Sequence, residues 1–198
     1  MSYLNQLEQI ENNKLNGSNS LYIRIPSFDL IKVVFSKNQF AMNQKDYRKS
    51  KRDSAKNKYY SSHGVTLKFF RVMPQKLNSV GMLIDNGVKV TAITDFEMKD
   101  TKGNKSFVVV GLWQNQEMES DKVNLVKSVY PLDDISQRIL NNVEQNKLIV
   151  INKNKAKNML TTIGIQPSEV SRILNLSNNS LSQGNEDVNY QFRTTKNR

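Results

Sequence analysis

The sequence predicts an α+β protein whose core is a mostly antiparallel β-sheet, with helices at both ends of the chain. Two observations carry this prediction. Short runs of apolar, aromatic and β-branched residues follow one another between residues 65 and 113, and turn-forming residues separate them. Near both termini the apolar residues instead recur at spacings of three and four, which is typical of amphipathic helices.

The first 15 residues form one of these predicted helices. Its apolar positions are Tyr3, Leu4, Leu7, Ile10 and Leu15. Residues 16–20 read Asn-Gly-Ser-Asn-Ser, a composition typical of a turn or linker, so residues 1–20 form a first unit. Two interpretations stay open: a terminal helix packed on the body, or a tethered peptide that docks into the groove of a protein partner or mediates self-association.

Residues 21–152 are predicted to form the β-rich core. We expect strands over residues 21–25, 30–35, 65–72, 80–84, 88–96, 107–113, 123–129 and 147–151. The run 107–113 is apolar on both faces, as expected of a central strand. The clearest β region, residues 65–113, predicts an antiparallel meander of four or five strands, which could curl into a small barrel. We also expect a polar loop over residues 114–121 and a helix after Pro131, with Asp133 or Asp134 at its start.

Positive charge is the strongest functional signal. Basic residues outnumber acidic ones by 29 to 18, which gives a formal net charge of +11. The charge is densest in a predicted basic insertion over residues 39–62, either an exposed helix or a loop that orders on binding. The candidate nucleic-acid contacts there are Lys45, Arg48, Lys49, Lys51, Arg52, Lys56, Lys58, Tyr59 and Tyr60. Such a segment attracts a polyanion, and nucleic acid is the polyanion we expect.

Two adjacent aromatic residues follow the insertion. Neighbouring residues of a strand point to opposite faces, so we expect either Phe69 or Phe70 in the core and the other exposed for stacking on an unpaired base. Arg71 beside them is a further candidate nucleic-acid contact.

Residues 156–176 resemble the helix-turn-helix motif of bacterial repressors. Gly164 lies between two short predicted helices, Ile163 and Ile165 flank it, and Val170 and Ile173 fall on the inward face of the second helix. Leu160 departs from the motif, which usually has a small residue there. The resemblance implies a helical pair over residues 153–176 that binds duplex DNA. It places Gln166, Ser168, Ser171, Arg172 and Asn175 toward the major groove, with Arg172 as the principal contact.

Catalytic and metal chemistry find little support in the sequence. There is no cysteine and only one histidine, His63, and no phosphate-binding glycine motif occurs. The carboxylates of Asp95, Glu97 and Asp100 are explained as strand and turn residues. We therefore expect no enzyme activity, no metal and no cofactor.

The sequence accordingly predicts a non-enzymatic nucleic-acid-binding protein that acts on duplex DNA or on single-stranded DNA or RNA. Two alternatives remain: an inhibitor or accessory subunit of a nucleoprotein complex, and a structural protein that packages a genome. Residues 177–198 are expected to form a flexible tail. No apolar run approaches the about 20 residues of a membrane span, and no signal pattern is legible, so we expect a cytoplasmic protein.

Overall fold

The computed structural model describes residues 2–12, 19–25, 29–35, 65, 67–100, 102–118 and 121–176. The basic insertion and the predicted tail lie outside the described residues. Within the described ranges the predicted α+β class is confirmed, because a mostly antiparallel sheet is combined with helices.

The sheet has seven strands among the described residues. They are β1 (Asn19–Ile25), β2 (Asp29–Phe35), β3 (Met82–Asp85), β4 (Lys89–Lys99), β5 (Lys105–Met118), β6 (Asp121–Pro131) and β7 (Leu148–Val150). Their order is β1-β2-β6-β5-β4-β3-β7. Among these described strands, only β2 and β6 pair in parallel. The sheet has β1 and β7 at its two edges and is not closed into a barrel.

Helices cover both faces of this sheet. They are α1 (Tyr3–Asn12), α2 (Leu67–Asn78), α3 (Ile135–Glu144), α4 (Lys153–Thr162) and α5 (Pro167–Leu176). Alternate residues of β5 belong to different apolar clusters: Val108 and Val110 pack with α1 and α2 on the first face, whereas Phe107 and Val109 pack with α3, α4 and α5 on the second face. The prediction that residues 107–113 form a central strand is therefore confirmed.

The strand predicted over residues 65–72 is wrong, because residues 67–72 belong to helix α2. Phe69 and Phe70 are both fully buried on the first face, with their rings edge to face at 5.8 Å between centroids. Met73 and Leu77 extend the same face at helical spacing and are fully buried as well. The apolar run 65–72 was too short to separate a helical period from a strand, and the deciding residues lie beyond it.

Two smaller expectations are also corrected. The polar loop expected over residues 114–121 is mostly strand, since β5 continues to Met118 and β6 begins at Asp121. Asp134 stands at the start of α3 as expected, but its side chain does not cap the helix. Its carboxylate instead pairs with the Lys102 ammonium at 2.6 Å.

Helix α1 packs on the body of the protein. Leu7 is only 1 % exposed within the first-face cluster, and the Tyr3 hydroxyl donates a 2.7 Å hydrogen bond to the Phe70 carbonyl. Burial raises the pKa of the Tyr3 hydroxyl well above its ordinary value. Of the two interpretations of this segment, the packed terminal helix agrees with these contacts.

Substitution of two leucines of α1 tests whether this helix packs on the sheet in solution. We expect Leu7→Ala to lower the free energy of unfolding by about 2–5 kcal/mol, because the removed side chain leaves a cavity in the core. Leu4→Ala, at a position that is 51 % exposed, should change it by no more than about 0.5 kcal/mol. Urea unfolding of both variants checks this. Equal effects would mean that α1 does not dock in solution as it does here.

Candidate nucleic-acid interface

The predicted helical pair is present, and its connection is a tight helix-ending turn. Gly164 has a φ of 81°, and its N–H donates to the Thr161 carbonyl at 3.0 Å. The Ile165 N–H donates to the Leu160 carbonyl, also at 3.0 Å. These two bonds form a Schellman motif, in which the residue after the helix cap takes a left-handed conformation that glycine adopts without strain. The turn therefore satisfies carbonyls at the end of α4 and redirects the chain into α5.

The inward side of the pair is apolar and belongs to the second-face core. Val170 and Ile173 of α5 are 5 % and 1 % exposed, and Ile165 of the turn packs in the same cluster. Leu160, the departure from the repressor motif, is fully buried in this cluster too. The larger side chain is thus accommodated by packing that α4 and α5 share with the sheet.

The candidate contacts lie on the outward side of α5 and at Gln166 immediately before it. All five predicted residues are exposed: Gln166, Ser168, Ser171, Arg172 and Asn175. The Arg172 guanidinium donates from Nε and Nη2 to Glu169 Oε2, at 2.9 and 2.7 Å. Since both side chains are about four-tenths exposed, this pair is weakened by water and salt, and the arginine can exchange its partner.

Helix α4 adds two cations that the sequence interpretation missed. Lys153 and Lys157 are exposed and lie one turn apart, so they share a side of the helix. Their four-residue spacing was the available signal. In a helix-turn-helix the first helix crosses the DNA backbone, where such ammonium groups contact phosphates.

A third lysine of α4 has a different role. Lys155 turns toward the sheet, and its ammonium donates to the Ser79 carbonyl and hydroxyl at 2.8 Å and to the Asp95 carboxylate at 3.3 Å. Lys76 of α2 pairs with the other oxygen of Asp95 at 2.8 Å. Burial of the Asp95 carboxyl raises its pKa, but the hydrogen bonds and charges of Lys76 and Lys155 outweigh burial, and the net pKa is lowered. Asp95 therefore links α4 to α2 through β4.

The other sequence-predicted contacts that the structure describes are not brought to α5. Arg71 is exposed on α2, which packs on the opposite face of the sheet. The expectation of an exposed phenylalanine platform is wrong, because Phe69 and Phe70 are both buried. The candidates between Lys45 and Tyr60 lie outside the described residues.

The carboxylates have structural roles in the described part of the chain. The Asp100 carboxylate is buried and accepts backbone hydrogen bonds from Lys102 and Asn104, at 2.9 and 2.8 Å, which fixes the turn between β4 and β5. Among the described residues no three acidic or histidine side chains are grouped so as to hold a metal ion. No helix in these ranges has the length and apolar character to cross a bilayer.

Comparison of the chain with protein-family models, with curated proteins and with solved structures found no match.

The pairing of Asp95 predicts a pH dependence of stability. Because the folded protein lowers the pKa of this carboxyl below its ordinary 3.8, the unfolded chain binds the proton more readily. The pairing of Asp95 with Lys76 and Lys155 therefore stabilises the folded protein fully above about pH 4 to 5. This stabilisation is lost as the pH falls through the lowered pKa of Asp95. Asp95→Asn should reduce the free energy of unfolding by about 1 kcal/mol at neutral pH.

This difference between the wild type and Asp95→Asn should shrink as the pH drops below 3.8. Urea unfolding at a series of pH values measures it. Glu8→Gln, at an exposed position of α1, serves as the control and should not reproduce the effect. A difference between wild type and Asp95→Asn that stays constant down to acid pH would contradict the assigned pairing.

Proposed function

We propose that this protein binds duplex DNA through the α4–α5 pair, without catalysing a reaction. The observation that supports this function best is the division of α5 into two sides. Its apolar side is anchored in the second-face core, while all five polar residues that the repressor resemblance assigns to the major groove are exposed. A helix held in this way can enter a groove as a rigid element.

The chemistry of the exposed side fits base recognition. Arg172 can donate two hydrogen bonds to guanine, and the amides of Gln166 and Asn175 can pair with the donor and acceptor of adenine. Ser168 and Ser171 can bond to either bases or phosphates. Lys153 and Lys157 of α4 would contact the phosphate backbone and set the orientation of α5.

Electrostatics favour a polyanion at the same place. Residues 153–176 expose three basic residues, Lys153, Lys157 and Arg172, against a single acidic one, Glu169, while Lys155 is paired with Asp95. The insertion at residues 39–62 would add phosphate contacts, each of which contributes about 0.9 to the slope of log affinity against log salt on duplex DNA. Glu169 opposes binding twice, because it pairs with Arg172 and carries the same charge as DNA.

Opposite changes at Arg172 and Glu169 test the proposal. A preferred duplex is first selected from a randomised pool, and its affinity is then measured by mobility shift at two salt concentrations. Arg172→Ala should weaken binding to the selected duplex by about 5- to 150-fold if the arginine contacts a base. Glu169→Gln should tighten binding, because it releases Arg172 and removes a repulsive charge.

The matched control is Glu144→Gln, which makes the same charge change on the exposed surface of α3. It should have a smaller effect than Glu169→Gln. If the two glutamate variants behave alike and Arg172→Ala leaves the affinity unchanged, α5 is not the binding element.

A further inference from the structure

The second face of the sheet carries a polar and aromatic surface beside the helical layer. Lys89 of β4 pairs with Trp113 of β5, and Gly111 of β5 pairs with Ser128 of β6. Gly111 and Trp113 follow Val109 at intervals of two, so they lie on the same face as α3, α4 and α5. Trp113 is 40 % exposed, which is unusual for the largest apolar side chain on a central strand.

A cavity of about 360 Å³ opens on this surface. Its walls include Lys89, Ser128, Tyr130 and Arg138, together with Pro131, Leu132 and Asp133. Gly111 permits the close approach of its neighbours here, because a Cβ at this position would collide with the Ser128 hydroxyl and lie 3.2 Å from Lys89 Cε. The volume is that of a small-ligand site, which is typically about 300–1,000 Å³.

Two cations reach this cavity without a carboxylate partner in the described part of the chain. The Lys89 ammonium makes neither an ion pair nor a hydrogen bond with the described residues, and Arg138 is held by a 3.1 Å hydrogen bond from Nε to the Asp133 carbonyl. The buried Ser128 hydroxyl has no hydrogen-bond partner there either. Because the two cations line one cavity, an anionic group bound there would meet two positive charges.

Aromatic rings lie next to these cations. Tyr130 lines the cavity. Burial and the charge of Asp133, which also lines the cavity, raise the pKa of its hydroxyl, whereas the charge of Arg138 acts in the opposite direction. Trp113 stands beside Lys89 across the strand pair. An acidic peptide would use the cations alone, whereas a nucleotide uses both features, with its phosphate on the cations and its base on a ring.

We propose that the surface formed by Lys89, Trp113, Ser128, Tyr130 and Arg138 binds an unpaired nucleotide. Lys89 and Arg138 hold its phosphate, and Trp113 stacks on its base. The nucleotide can belong to single-stranded DNA or RNA or can be a free nucleoside monophosphate, since the recognised chemistry is the same. This site does not depend on α5 binding duplex DNA.

Trp113 is the only tryptophan of the chain, so its fluorescence reports on this surface alone. The full-length protein is titrated with oligothymidylate, with oligouridylate and with free thymidine and uridine monophosphates. Quenching by the oligonucleotides alone identifies a strand-binding site, and equal quenching by the monophosphates identifies a site for free nucleotide. Absence of quenching by every probe overturns the proposal.

Substitutions distinguish the contribution of base stacking to affinity from that of charge. The affinity is measured by fluorescence anisotropy of a labelled form of whichever probe quenches Trp113. Trp113→Ala should weaken binding by about 5- to 150-fold, the value of one stacked base. For an oligonucleotide, Lys89→Gln and Arg138→Gln should each reduce the slope of log affinity against log salt by about 0.7, which loss of structure alone would not do. For a monophosphate, each of these two variants should weaken binding.

Lys99→Gln, at an exposed position near the other end of β4, is the matched control and should leave the affinity and its salt slope unchanged. Thermal unfolding establishes that each variant is folded. If Lys99→Gln changes binding as much as Lys89→Gln does, the surface is not a specific site. Arg172→Ala should leave quenching intact, so failure of this proposal is distinguishable from failure of duplex binding by α5.

Discussion

Burial of β5 on both faces is the constraint on which the rest of the structure depends. Val108, Val110 and Leu112 require apolar cover on the first face, and Phe107 and Val109 require it on the second. A strand that is apolar on both sides is stable only between two further layers, because each face must be removed from water. Helices α1 and α2 supply one layer, and α3, α4 and α5 supply the other.

This constraint also decides what remains available for binding. In the second helical layer the apolar side of α5 packs into the core, so the polar side of α5 faces outward. On that polar side Arg172 pairs with Glu169 at 2.7 Å. The layer leaves Trp113 40 % exposed on β5, next to Lys89. Asp95 ties α4 to α2 by pairing with both Lys155 and Lys76. The two proposed binding surfaces thus lie on one side of the sheet and rest on one core.

The sequence predicted the features that depend on local chemistry and missed those that depend on distant partners. The turn at Gly164 and the apolar side of α5 were legible because a helix end and a helical period are encoded within a few residues. The segment that became α2 was misassigned because Phe69 and Phe70 fit a strand until Met73 and Leu77 are counted with them. The parallel β2–β6 pair and the exposure of Trp113 could not be predicted, since strand order and the extent of a helical layer arise from tertiary packing.

Native-state hydrogen exchange tests most directly whether β5 holds both helical layers in one cooperative unit. If it does, the slowest amides of α4 and α5, such as those of Leu160 and Ile173, will exchange with the same opening free energy and urea dependence as Val109 and Val110. Exchange of the α4 and α5 amides through an opening of much lower free energy, with β5 still protected, would contradict it. The helical pair would then be an independent appendage, and its binding side would not be positioned by the core.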